Sequence, residues 1–222
     1  MTQPNMNVFA EYFEENNITY RRNTILQFGN SWQLIGNIVL ANPGSATPIV
    51  NITQESSVKL KKFYKSYRFG GIFNVENWFE FKVDSTMRFV EKIFNGEYVG
   101  NNKELNGVVQ LFNIFNIRNP NLEKAVGKIE IETDFMFPST IAKYFHDKPT
   151  YFGFSKKALK NKTLQKIAKR IFNNSSEKIL SIYKKGFSDN AFYHPMYINR
   201  AYNQNHFQWY KDQVLLPLLK NA

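Results

Sequence analysis

The chain of 222 residues contains no cysteine. That excludes a disulfide framework, a thiolate zinc site and a thiol nucleophile, and it is compatible with a reducing compartment. Histidine is scarce: only His146, His194 and His206 are present, with no His-x-x-x-His spacing and no carboxylate cluster beside them. A metal site is therefore not expected. No apolar run approaches the ~20 residues of a membrane span, and the polar start Met1-Thr2-Gln3-Pro4-Asn5 lacks a signal-peptide pattern, so a cytoplasmic protein is expected. Acidic residues are in deficit, 18 against 29 Lys and Arg, for a formal charge of +11. Such a field attracts a polyanion such as nucleic acid, or an anionic membrane surface, and charge alone does not choose between them.

Hydrophobic residues make up 43% of the chain and aromatics 16%, led by 21 Phe and 12 Tyr. This is too apolar for a disordered chain and predicts aromatic surfaces as well as an aromatic core. Four short apolar runs, 34–40, 107–117, 150–154 and 191–193, alternate with longer amphipathic stretches. The pattern predicts strands with crossover helices: a three-layer α/β/α fold around a mostly parallel, four-stranded sheet. One helix is expected from Asp84, with Val83, Met87, Val90 and Phe94 on one face and Arg88, Glu91, Lys92 and Asn95 on the other; Asp84 would serve as its N-cap. A second helical region, 156–185, carries no acid between Ser155 and Ser176. A last helix, 207–219, would dock Trp209, Val214 and Leu218 on the body. Residues 9–20 mix acids and aromatics and yield no assignment. We read a single domain over 1–222, with an insertion at about 47–82 and no internal repeat or low-complexity linker.

Candidate chemistry collects where the runs end. The first run breaks into Ala41-Asn42-Pro43-Gly44-Ser45-Ala46, a polar side chain and a tight turn at the carboxyl edge of a sheet, where open α/β sheets build their sites. His194-Pro195 follows the last run in the same way. A neutral imidazole there can donate a hydrogen bond to a leaving group, though a histidine so placed is more often a structural turn residue. Asn113, inside the second run, needs a partner if buried: a neighbouring loop by default, or the edge of a base. Between 58 and 69, Lys59, Lys61, Lys62, Lys65 and Arg68 interleave with Phe63, Tyr64, Tyr67 and Phe69. Cations among rings can hold phosphates while the rings meet bases; the alternative is a basic surface helix whose aromatics are core.

Together these features resemble the uracil-DNA glycosylase superfamily, and most nearly a bacterial branch with the pattern Asn-Pro-Ser-x-Ala, Asp-x-Thr-x-Arg, a strand ending Asn-Leu-Phe, and a Trp-Gly strand. The counterparts are Asn42-Pro43-Gly44-Ser45-Ala46, Asp84-Ser85-Thr86-Met87-Arg88, Gln110-Leu111-Phe112 and Phe152-Gly153. Gln110 and Phe152 depart from the branch, and Met196-Tyr197 replaces the Ser that usually follows His-Pro. The resemblance implies a glycosylase-like fold and base excision: a nucleotide is flipped into a pocket and its N-glycosidic bond is hydrolysed. By similarity, Asn42 would orient the water, Asp84 would assist, and His194 with the Gly44-Ser45 amides would stabilise the leaving base. Pro43, Gln110, Phe112 and Asn113 would shape or read the base, and Tyr67 or Phe69 would stack on it. Lys59, Lys61, Lys62, Lys65, Arg68, Arg88 and Arg200 would contact DNA. The implied partner is DNA, with no cofactor, no membrane and no obligate protein partner.

The insertion and the altered strand ends suggest a modified or bulky base, as in defence against viruses with modified DNA. Two other readings stay open: an inactive nucleic-acid or nucleotide binding module of the same fold, and an enzyme acting on free nucleotides or small glycosides, for which the basic insertion would be superfluous.

Overall fold

The computed structural model describes residues 6–68, 73–129, 133–188, 191–198 and 206–220. The chain starts as a long hairpin, β1 (Met6–Glu15) and β2 (Ile18–Phe28), closed by Asn16 and Asn17, both at positive φ. That two-residue turn matches the right-handed twist of the strands, and Asn tolerates the left-handed region better than most residues. Strand β3 (Leu34–Leu40) and β4 (Pro48–Asn51) lead into helix α1 (Gln54–Tyr67), then β5 (Trp78–Phe81), helix α2 (Ser85–Phe94) and β6 (Gly107–Asn113). The short helix α3 (Leu122–Val126) precedes β7 (Thr150–Phe152), and α4 (Lys156–Leu159), α5 (Lys162–Asn173) and α6 (Glu177–Ile182) follow it. A final helix, α7, runs through Phe207–Tyr210, a π-helical Lys211–Leu215 and Leu216–Lys220.

The strands form one open seven-stranded sheet in the order β4-β5-β1-β2-β6-β3-β7. This corrects the four-stranded, mostly parallel expectation. Only β3–β6 and β3–β7 are parallel; the other four pairings are antiparallel. The run 191–193 is not a strand: Ala191 and Phe192 are buried in irregular backbone, with Phe192 against Phe154, Phe172 and Phe187. The 47–82 segment supplies the edge pair β4–β5 and helix α1.

Strand alternation places a helical layer on each face. On one, Leu60, Phe63 and Tyr64 of α1 pack with Phe9, Ile25, Trp78 and Val108. On the other, Met87, Val90, Ile93 and Phe94 of α2 pack with Val8, Leu26 and Val109. Gly36 lets α2 approach β3, since a Cβ there would lie 2.3 Å from a Phe94 ring carbon. At the parallel end of the sheet Val39 pairs with both Phe112 and Phe152, and Leu40 with Asn113, so the carboxyl ends of β3, β6 and β7 stand level. Register there is locked by a buried amide network: Gln110 Nε2 donates to Asn37 Oδ1 (2.9 Å), and Asn37 Nδ2 donates to Phe145 O (3.0 Å) and Thr150 Oγ1 (3.2 Å). A one-residue slip would leave these buried amides unpaired.

Candidate active site

The level strand ends open into a cavity of about 340 Å³ that Asn42, Asp84, Asn113 and His194 all line, with Pro43, Gly44 and Ser45. Each arrives by a different local device. Asn42 leaves β3 into a turn that Gly44 completes at φ +71°, a conformation glycine adopts without a Cβ penalty. Arg21 Nη2 donates to Pro43 O, and Arg118 Nη2 to Ser45 O at 2.6 Å, so two guanidinium groups pin the turn. Asp84 caps α2, its Oδ1 accepting from Met87 N at 2.9 Å, which turns that helix's N-terminus, Ser85 to Met87, toward the cavity. Asn113 ends β6. His194 opens the 3₁₀ turn Pro195–Tyr197 and is tied to α2 through Thr86 Oγ1, 3.6 Å from Met196 Sδ.

The amide of Asn42 has a defined orientation. Its Nδ2 donates to Asn119 O at 2.8 Å, and because that partner is a carbonyl the nitrogen must face it; Oδ1 remains the acceptor end. Asn113 is 1% exposed, yet neither Nδ2 nor Oδ1 has a partner among the described residues. An unpaired buried amide costs about 1–3 kcal/mol, so it marks a place where a ligand or water completes the structure.

The electrostatics favour a neutral imidazole beside positive groups. Burial pushes the pKa of His194 down to about 4, against a smaller opposing pull from Asp84. Its Nδ1 accepts from Met196 N at 3.4 Å, which puts the proton of the neutral ring on Nε2, ready to donate. Arg21 is 2% exposed, with Nε and Nη1 unpartnered among the described residues. Burial lowers its pKa to about 10, with Asp84 acting in the opposite direction. A still-charged guanidinium and a helix N-terminus therefore face the same space. Among the described residues no group of three or more His, Asp or Glu is placed to hold a metal ion, and no helix is long and apolar enough to cross a membrane.

Other expected residues lie elsewhere. Gln110 is core, donating to Asn37 Oδ1 and to Tyr144 O (2.9 Å) on the α1 side of the sheet. Phe112 has the same parity and covers the Arg68 guanidinium at 4.4 Å. Tyr67 packs on Phe63 (4.8 Å) and edge-on to His146 (5.5 Å), and lines a separate groove with Lys59 and Lys62. Phe63 and Tyr64 are core, so the bland reading of the aromatic cluster holds for them. Lys59, Lys61, Lys62 and Lys65 are exposed on α1, Lys59 pairing with Glu55, and no α1 residue lines the Asn42 cavity. Arg68 is not a surface cation: it is 4% exposed. Arg88 is exposed on α2, beside the cavity's helical wall. Phe69 and Arg200 lie outside the described residues. Trp209 is exposed and stacks on His206 (4.5 Å), while Val214 and Leu218 are buried as expected.

Two groups were missed in the sequence. Arg21 sits in β2, where its neighbour Arg22 disguises it as a surface residue. Lys156 and Lys157 line an apolar groove with Phe154, Phe192 and Tyr197 that shares His194 with the Asn42 cavity. The chain matches no protein-family model, no curated protein sequence and no solved structure.

Proposed function

We propose that this cavity takes a nucleobase flipped out of DNA and hydrolyses its N-glycosidic bond, leaving an abasic site. The observation that carries the reading is the convergence of Asn42, Asp84, Asn113 and a neutral His194 on one cavity at the carboxyl edge of the parallel strands. Its volume, about 340 Å³, falls in the range of small-ligand pockets.

Breaking C1′–N sends the bonding pair to the base and leaves positive charge on the sugar. The base is the side that needs donors: His194 Nε2–H, the amides of the Gly44-Ser45 turn and the Arg21 guanidinium supply them, each donor of this kind being worth about 10²–10³ in rate. Asn42 Oδ1 accepts a hydrogen bond from the water that adds to C1′. Asn cannot take the proton, so the Asp84 oxygen not engaged by Met87 N is its acceptor, and the carboxylate also faces the sugar's positive charge. The Asn113 amide offers a donor and an acceptor to the edge of the base. A modified or bulky base remains our proposed substrate, with Arg88 on α2 and Lys156 in the adjoining groove, which shares His194, available to phosphates.

The test is an abasic-site assay on DNAs carrying uracil, common lesions, and hydroxymethylated or glucosylated cytosine, with alkali to reveal breaks. Breaks on one member that vanish in Asn42→Ala support monofunctional excision and name the base. No breaks on any member, with DNA binding retained, makes the chain a binding module.

A further inference from the structure

A second cavity, of about 290 Å³, lies on the α1 side of the same sheet edge. Its walls include Tyr64, Arg68, Phe112, Asn113 and Tyr144, with the exposed Asp134 at its mouth. Tyr64, Arg68 and Asn113 are 5%, 4% and 1% exposed. Among the described residues Tyr64 Oη, Arg68 Nε and Nη2, and both polar atoms of the Asn113 amide have no hydrogen-bond partner. So many unmet polar groups around one cavity are not the debris of packing, since buried polar atoms are ordinarily paired.

The geometry of Arg68 says what is missing. Its guanidinium lies 4.4 Å from the Phe112 ring centre, 4.7 Å from that of Tyr144 and 5.4 Å from that of Tyr64, so its plane is held by rings. Nη1 reaches Asn23 Oδ1 at 3.4 Å. The two unpartnered nitrogens, Nε and Nη2, form one edge of the guanidinium, the fork that grips two oxygens of one anion. No carboxylate pairs with it among the described residues. Glu11, the nearest buried acid, is held by Arg22 (2.7 and 3.0 Å) and Asn23 (2.8 Å). Burial accordingly pulls the Arg68 pKa down, with only weaker upward influences from Tyr64, Tyr144 and Glu11.

We propose that this cavity is a phosphate-binding site, with the Nε/Nη2 edge of Arg68 taking two oxygens, the Tyr64 hydroxyl a third, and the Asn113 amide nitrogen assisting. The unmet groups are mostly donors, which suits an acceptor-only ligand, and a phosphate has a third oxygen for Tyr64 where a carboxylate does not. The phosphate belongs to a mononucleotide or to a DNA strand; the shared chemistry is the oxyanion. The proposal does not rest on the excision chemistry, although the two cavities share Asn113 in their walls.

The test is calorimetric titration of the full chain, at matched ionic strength, with inorganic phosphate, a nucleoside 5′-monophosphate, a short oligothymidylate and acetate. Binding of any phosphate-bearing probe is expected to weaken about 3–10-fold in Tyr64→Phe, which removes one hydrogen bond and keeps the ring. Arg68→Lys is expected to weaken it by about tenfold or more, because the fork is lost while the charge remains. Tightest binding by the monophosphate identifies a free nucleotide, and by the oligothymidylate a DNA backbone. Three results overturn the proposal: no phosphate-bearing probe binds, acetate binds as well as phosphate, or Tyr64→Phe binds like the parent.

Discussion

Lowering the pH from about 7.5 to about 5 is expected to leave His194 uncharged while free imidazoles protonate. With its pKa at about 4, roughly one ring in ten carries the proton at about pH 5, against nearly all of an unperturbed histidine. The unfolded chain takes up this proton near 6.5 and the folded chain near 4, so between those values the unfolded state binds more protons and stability falls as the pH falls. The full displacement corresponds to at most about 3 kcal/mol, and solvent at this half-buried ring reduces the expectation to roughly 1–2 kcal/mol. Two measurements check it. Long-range ¹H–¹⁵N spectra, assigned by the signal lost in His194→Gln, should show a neutral ring protonated at Nε2 down to about pH 5. Urea unfolding across the same range should find His194→Gln less acid-sensitive than the parent by roughly 1–2 kcal/mol. Titration of His194 near 6.5, or a proton on Nδ1, would falsify the reasoning, because the ring would then no longer be a neutral Nε2–H donor.

Asp84 caps α2 and, in the proposed reaction, also accepts the water's proton, and substitution separates the two. Asp84→Asn keeps an N-cap oxygen and should leave the Tm near that of the parent while lowering base release, whereas Asp84→Ala should also lose about 1 kcal/mol of stability by thermal melting. Gly44→Ala places a Cβ at φ +71°, which is expected to cost about 1–2 kcal/mol and to displace the Asn42 turn; a crystal structure with an unchanged turn and full stability would refute this. Gly36→Ala would drive its Cβ into the Phe94 ring, a loss of about 1–3 kcal/mol in denaturant titration that Phe94→Leu, added to it, should partly restore. Failure of that pair to interact would mean that α2 and β3 do not meet there.

What was legible in the sequence follows from burial. Strands β3, β6 and β7 meet as parallel neighbours at one end of the sheet and are buried almost throughout, β7 included although it is the edge strand, so they read as apolar runs, and the polar residues at their ends stood out. The hairpin β1–β2 did not, because its charges satisfy each other: Glu11 lies opposite Arg22 in the register and is bonded to it, which lets acids and bases sit in a strand that otherwise packs on both faces. Arg68 was misread as a surface cation because of its lysine neighbours, though it is buried. Leu60, Tyr64 and Arg68 recur every four residues, however, and that spacing alone puts the arginine on the buried face of α1. Arg21 offers no such signal, since in a strand the choice between Arg21 and Arg22 as the inward residue is decided by register.

Asn113 stands in the wall between the two cavities and contributes to both. A primary amide has one donor end and one acceptor end, so a half-turn of its terminal torsion exchanges what each chamber is offered. An occupant that draws the NH₂ to the α1 side presents the carbonyl oxygen to the other side, and favours there a guest with a hydrogen to give. Where both chambers take the proposed guests, their occupancy would be thermodynamically linked: whatever factor one guest adds to the affinity of the other, it receives in return.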